Sequence, residues 1–358
     1  MNEATQAETA LPPVPPAEHL TKASVGDLID RALRLYRANF RTFFLVMLVA
    51  QLPIYLLQKI YETVLRSAMP VGGLRPELVT PEIALEVLAT LGVAFPLTFL
   101  GMMFLLAVAY GAIIHGGDQA WRGGVPLTSD VARGIQARLG AVVLTYLLVQ
   151  VFFFIGGVAG MVPGLGLVVA GALSASSAMA ILGLLVALLG AFVVVLVLYL
   201  RWYLILPVVV LEGGSGLAAL RRSTGLMAGR VDSGILGLVK MRASLLLLVL
   251  FLLLAIPGLL IGVPQYLVAA AYTPAGMPPD VFSIPFVVRL PFDIAQIFLS
   301  SVLTPLGILA MVFFYFDLRI RREGLDLELQ ASRLAEAGQP LAAVPVEPAA
   351  LTPETPRG

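Results

Sequence analysis

Long apolar runs alternate with short polar segments along this chain. From Leu139 to Leu200 there is no Asp, Glu, Lys, Arg or His. That run is about three times the ~20 residues that carry one helix across a hydrocarbon core about 30 Å thick. It predicts a membrane hairpin of two spans, interrupted at Pro163-Gly164-Leu165-Gly166 and connected at Ser174-Ala175-Ser176-Ser177. Arg138 and Arg201 flank the run on both sides, which fits an even number of crossings. Four further apolar runs bring the total to six spans, at about 41–59, 88–114, 140–162, 178–200, 243–267 and 292–316. The predicted fold class is an all-α polytopic integral membrane bundle.

A second periodicity precedes each pair of spans. Ser24 with Asp27 three residues on is a capping-box pattern. It opens a helix whose apolar residues Val25, Leu28, Ile29, Ala32, Leu33, Tyr36 and Phe40 recur on one face. Asp27, Asp30, Arg31, Arg34 and Arg37 lie off that face, as suits a helix in the cytoplasmic interface. A second such helix is expected over about 128–139, with Val131, Ala132, Ile135 and Leu139 apolar. A third is expected from near Ser215, with Leu217, Leu220, Thr224 and Met227 opposite Arg221 and Arg222. The predicted plan is three hairpins, each preceded by a cytoplasmic-interface amphipathic helix. Residues 24–328 form this domain, between tails at 1–23 and 329–358 that read as disordered from their Pro, Ala and Glu content.

Composition agrees: 59% of residues are hydrophobic and 13% charged, against about 25% charged in an ordinary soluble domain. The N-terminal segment has neither the basic region nor the short apolar core of a signal peptide. Of 23 basic residues, 19 fall on the side of the spans that holds both termini. The positive-inside rule then places both termini in the cytoplasm of a bacterial inner membrane.

Candidate chemistry is sparse. Cysteine is absent and there are two histidines, of which His115 alone lies near a span. No H-E-x-x-H pattern or Cys/His cluster suggests a metal, and a serine–histidine device would depend on His115. The expectation is no catalytic residue, no cofactor, no metal and no nucleic-acid partner, with membrane lipids and a membrane protein as partners. Ionisable groups at span depth are suspects by default. Those found are Glu86, Asp293 and Arg289, the last two spaced as an i, i+4 pair. Gln51, Gln150, Gln265 and Gln296 read as cavity lining or as hydrogen bonds between helices. Gly156, Gly160 and Gly164, four apart, read as a close helix contact within the monomer.

Two segments are more specific. One is Leu206-Pro207-Val208-Val209-Val210-Leu211-Glu212-Gly213 with Arg221-Arg222-Ser223. The other is Tyr315-Phe316-Asp317-Leu318-Arg319-Ile320-Arg321-Arg322-Glu323-Gly324. Glu212, Arg221, Arg222, Asp317, Arg319, Arg322 and Glu323 form the candidate site. It reads either as an ion-pair cluster joining the last span to the fourth, or as a phosphate or lipid-headgroup site, since Arg–carboxylate pairs are bidentate and orienting.

With Gly26-Asp27-Leu28-Ile29-Asp30-Arg31-Ala32, these segments resemble the bacterial glycerophosphoryl diester phosphodiesterase membrane-domain family over about residues 24–328. Phe316 and Leu325 depart from the Tyr and Phe expected there. In that family the membrane domain is distinct from the catalytic barrel, which needs about 250 residues. The resemblance implies a stand-alone membrane domain, a scaffold or accessory protein rather than a phosphodiesterase. A lipid or small-molecule carrier is the alternative.

Overall fold

The computed structural model describes residues 21–68, 85, 89–234, 237–274 and 279–336. Ten helices of eight or more residues organise them. α1 (Val25–Ala38) leads into α2 (Phe40–Ala68), and α3 (Phe95–Trp121) follows a π-helical turn at Thr90–Ala94. α4 (Thr128–Gln136) precedes α5 (Leu139–Leu173) and α6 (Ser177–Arg201). The chain then turns through Ile205–Pro207 and a π-helical segment, Val208–Glu212, into α7 (Gly216–Met227). α8 (Val239–Tyr272), α9 (Phe286–Glu323) and α10 (Leu325–Glu336) complete it. There is no strand among the described residues, and one isolated bridge joins Arg230 to Leu238. Six helices are long and apolar enough to cross a membrane, so this is a multi-pass membrane protein of the expected all-α class.

The three hairpins pair α2 with α3, α5 with α6, and α8 with α9. The second is the most intimate because glycine removes the side chains between its helices. A Cβ on Gly164 would lie 2.1 Å from the Ala187 backbone nitrogen, and one on Gly160 would lie 2.5 Å from the Gly190 carbonyl oxygen. The four-residue glycine spacing is therefore a contact within the chain. The hairpin differs from expectation in its length. Pro163–Gly166 does not interrupt α5, which runs on to Leu173 and reverses at Ser174–Ser176.

α9 is the central element. From Ile308 to Leu318 every residue is buried, as in a helix surrounded on all sides. Around it lie α1, α2, α3, α8 and the Ile205–Glu212 segment. The densest packing is thus at the end of the bundle that carries the described termini. At the middle of the spans, α6 and α8 expose most of their apolar residues.

The helices that precede the hairpins turn their apolar faces inward. The capping box of α1 forms as expected, with Asp27 N–H donating to Ser24 Oγ at 3.2 Å and Ser24 N–H to Asp27 Oδ2 at 2.9 Å. Leu28, Ala32, Leu35 and Tyr36 are buried. α1 runs antiparallel to α9, since Ala23 meets Asp317 while the Tyr36 hydroxyl donates to the Val302 carbonyl at 2.6 Å. Val131 and Ile135 of α4 press on Gly116 and Gly111 of α3, where a Cβ would come within 2.9 and 2.8 Å of them. On α7 the buried face is Ala219, Leu220, Ser223, Leu226 and Met227, whereas Leu217 is exposed. Ala23, just before α1, is buried, and α10 extends to Glu336.

Candidate functional site

The candidate residues fall into two adjacent networks and one isolated cation. The first network surrounds Glu212. The left-handed Gly213, at φ +79°, ends the π-helical segment just after Glu212. Arg222 grips Glu212 with two N–H groups, Nε to Oε2 at 2.7 Å and Nη2 to Oε1 at 3.0 Å. Its Nη2 also donates to Glu323 Oε2 at 2.9 Å, and Arg319 Nε donates to the same oxygen at 2.9 Å. The buried Tyr315 hydroxyl donates to Glu212 Oε1 at 2.8 Å. These bonds raise the Arg222 pKa above the ordinary guanidinium value, Glu212 being the larger cause. The network ties the segment after α6 to α7 and to the last turns of α9.

The second network is centred on Asp317, which is 3% exposed. Arg321 Nε donates to both of its oxygens at 3.0 Å, and Arg242 Nη2 of α8 stands 3.1 Å from Oδ2. Asp317 Oδ1 accepts the backbone N–H of Ala23 at 2.9 Å, while the Ala23 carbonyl accepts from Arg242 at 2.7 Å and from Arg321 at 2.9 Å. Asp232 joins through Arg321. One carboxylate thereby joins α9, α8 and the segment before α1.

Arg322 takes no part in the Asp317 network. It points to the end of α7, donating to the carbonyls of Gly225, at 2.8 Å, and Ala228. Carbonyls at a helix C-terminus have no donor within the helix, and a guanidinium supplies one. Arg221 is exposed and has no ion-pair or hydrogen-bond partner among the described residues. Sequence reasoning missed Arg321, Arg242, Asp232, Tyr315 and the Ala23 backbone. The i, i+4 spacing of Asp317 and Arg321 was a usable signal; nothing local points to Arg242 or Ala23.

At the other end of the bundle, Arg289 and Asp293 do approach each other, Nε to Oδ1 at 3.5 Å. α2 completes the group. Glu62 accepts from Arg289 at 2.8 Å, Lys59 stands 2.9 Å from Asp293, and the Tyr55 hydroxyl donates to Asp293 at 2.9 Å. Two acids and two bases close a neutral set between α2 and α9. Glu86 lies outside the described residues. Asp293 and Asp317, 24 residues apart on one helix, are separated by about 36 Å, enough for the uncharged stretch between them to cross a hydrocarbon core.

His115 shares a small cavity with Asp118, Gly134, Ile135, Arg138, Val210 and Leu211, a lining without a hydroxyl or thiol. Arg122 Nε holds both Asp118 oxygens, at 3.0 and 3.1 Å. Among the described residues no three His, Asp or Glu side chains gather as a metal site.

A larger cavity of about 550 Å³ opens between α3, α5, α6, α8 and α9. Tyr110, Tyr146, Tyr199, Trp202 and Tyr203 line it, with Leu247, Leu250 and Thr304. Gln150 is there too, donating to Met103 Sδ at 2.8 Å. Gln51, Gln265 and Gln296 are not in its lining, and Gln296 is exposed.

Comparison of the chain with protein-family models, with curated proteins and with solved structures gives no match.

Proposed function

We propose that this chain is a non-catalytic scaffold or accessory protein of the bacterial cytoplasmic membrane, with both termini in the cytoplasm. The reading is carried by one observation: Glu212, Glu323 and Asp317 are each bonded to arginine on a neighbouring element or one turn away. Carboxylates committed in this way hold helices together and are poorly placed to exchange protons with a substrate. The cations left over, Arg201, Arg221, Arg230 and Lys240, are exposed on the same end. They offer a basic surface to an acidic partner or to anionic headgroups. The excess of basic residues on the side of the termini supports the orientation. The resemblance to the stand-alone membrane domain of the phosphodiesterase family agrees with a role that requires no active site. Crosslinking in native membranes followed by purification tests the reading: a stoichiometric protein partner is expected, and its repeated absence would discard the scaffold.

The second reading, a lipid or small-molecule carrier, is favoured by the aromatic cavity. Proteoliposomes that move phospholipid or a candidate solute faster than empty vesicles would establish it, and equal rates would remove it.

A further inference from the structure

We propose that the aromatic cavity is a resident-lipid site that holds the acyl-ester segment of a glycerophospholipid. The inference does not depend on the scaffold reading. Its first support is an unmet hydrogen-bonding demand. Tyr110, Tyr146, Tyr199 and Tyr203 line the cavity, and their hydroxyls have no hydrogen-bond partner among the described residues. Tyr203 is 6% exposed, yet its hydroxyl oxygen is not fully enclosed and remains open to an acceptor. A hydroxyl without a partner is unfavourable beside hydrocarbon, where no water is at hand to supply one.

The lining also limits the occupant's chemistry. It carries no charged side chain. A phosphate or carboxylate placed inside would lack a counter-ion, so the acceptors brought to the tyrosines are neutral. A plain hydrocarbon tail gains little by leaving the bilayer for an apolar pocket, because both surroundings are equally apolar. Ester carbonyls supply neutral acceptors with a chain attached. The volume of about 550 Å³ lies within the ordinary range for ligand sites and is too small for a whole diacyl lipid. One ester and the upper part of a chain therefore fill it while the remainder stays in the bilayer.

Access and position agree. α6 packs closely on α5 but loosely on α8. Tyr199, Phe251 and Leu254, on the two sides of that gap, line the cavity and are exposed to the surroundings. A lipid thus enters sideways. Tyr199, Trp202 and Tyr203 come from the last turn of α6 and the residues just after it. Arg201 lies between them in sequence, is exposed, and donates from Nε to Thr224 Oγ1 of α7 at 3.4 Å.

The test uses the full chain, delipidated in mild detergent and titrated with dioleoyl phosphatidylglycerol, dioleoylglycerol or an isoprenoid quinone, with occupancy read by native mass spectrometry. One phosphatidylglycerol per chain is expected, with dioleoylglycerol also retained. Replacing all four tyrosines by Phe keeps the rings, removes the hydroxyls and should weaken retention about tenfold. Gly307→Phe should do the same by filling the space, since a Cβ there meets nothing within 4 Å. Where the fourfold variant does not fold, Tyr146→Phe and Tyr203→Phe singly should each weaken retention about threefold. Unchanged retention in the variants that fold, preference for the quinone, phosphatidylglycerol retained while dioleoylglycerol is ignored, or no lipid retained would each overturn the proposal.

Discussion

Ala23 and Asp317, 294 positions apart, are joined by a hydrogen bond of 2.9 Å from backbone N–H to carboxylate. The bond fixes where the chain enters its first helix against the last turns of α9. Asp317 can hold that position because Arg321 and Arg242 hold its carboxylate in place. The reciprocal bonds from both arginines to the Ala23 carbonyl close the group.

Removing Asp317 leaves Arg242, itself 4% exposed, without its nearest counter-charge. Asp317→Ala should cost about 3–5 kcal/mol, because an uncompensated buried charge is more damaging than the loss of a pair. A fall of several degrees in melting temperature in detergent is expected. An unchanged melting temperature would refute the structural role of the network.

Arg221 and Arg222 are neighbours with opposite expectations. Arg222→Ala should lower the melting temperature, since it opens the Glu212–Glu323 network, whereas Arg221→Ala should leave it unchanged. Tyr315→Phe removes only the hydroxyl bonded to Glu212 and should cost about 1–2 kcal/mol. Equal effects at 221 and 222 would contradict the pairing described.

The glycines of α5 are not equivalent. Gly164→Ala places a methyl against the Ala187 backbone and should separate the hairpin. Gly166→Ala meets nothing within 4 Å and should be silent. Disulfide crosslinking of cysteine pairs introduced across α5 and α6 would read the difference, and equal crosslinking in both variants would count against the contact.

The α1 capping box should depend on pH. The bonds from Ser24 hold the Asp27 carboxyl below its ordinary pKa. A lowered pKa in the folded state means that the unfolded state binds more protons, so stability rises with pH there. The contribution is complete above the usual carboxylate value and lost as pH falls through the lowered one. Protease protection of α1 should therefore weaken on the acid side, and Asp27→Asn should remove that dependence. Protection that is flat with pH in the parent protein would refute it.

A chain without cysteine is convenient for topology. Leu217→Cys, at an exposed position, should react with an impermeant maleimide in inverted vesicles but not in intact cells. The reverse result would invert the proposed orientation.

Periodicity and charge were enough for the six spans, the capping box and the hairpin order. A membrane demands a minimum length of uncharged helix, and that demand is written locally in the chain. Asp317 with Arg321 and Arg319 with Glu323, one helical turn apart, carried a local signal that the sequence reading did not use. Only the tertiary structure decided that Asp317 belongs with Arg242 and Ala23, that Arg322 turns to α7, and that Glu62 and Lys59 complete the Arg289–Asp293 set. These partners are distant in sequence, and one arginine is locally indistinguishable from another. The cavity was hidden for the same reason. Tyrosines near helix ends look alike whether they anchor a span at the interface or converge on a shared space, and convergence depends on how α3, α5 and α6 pack.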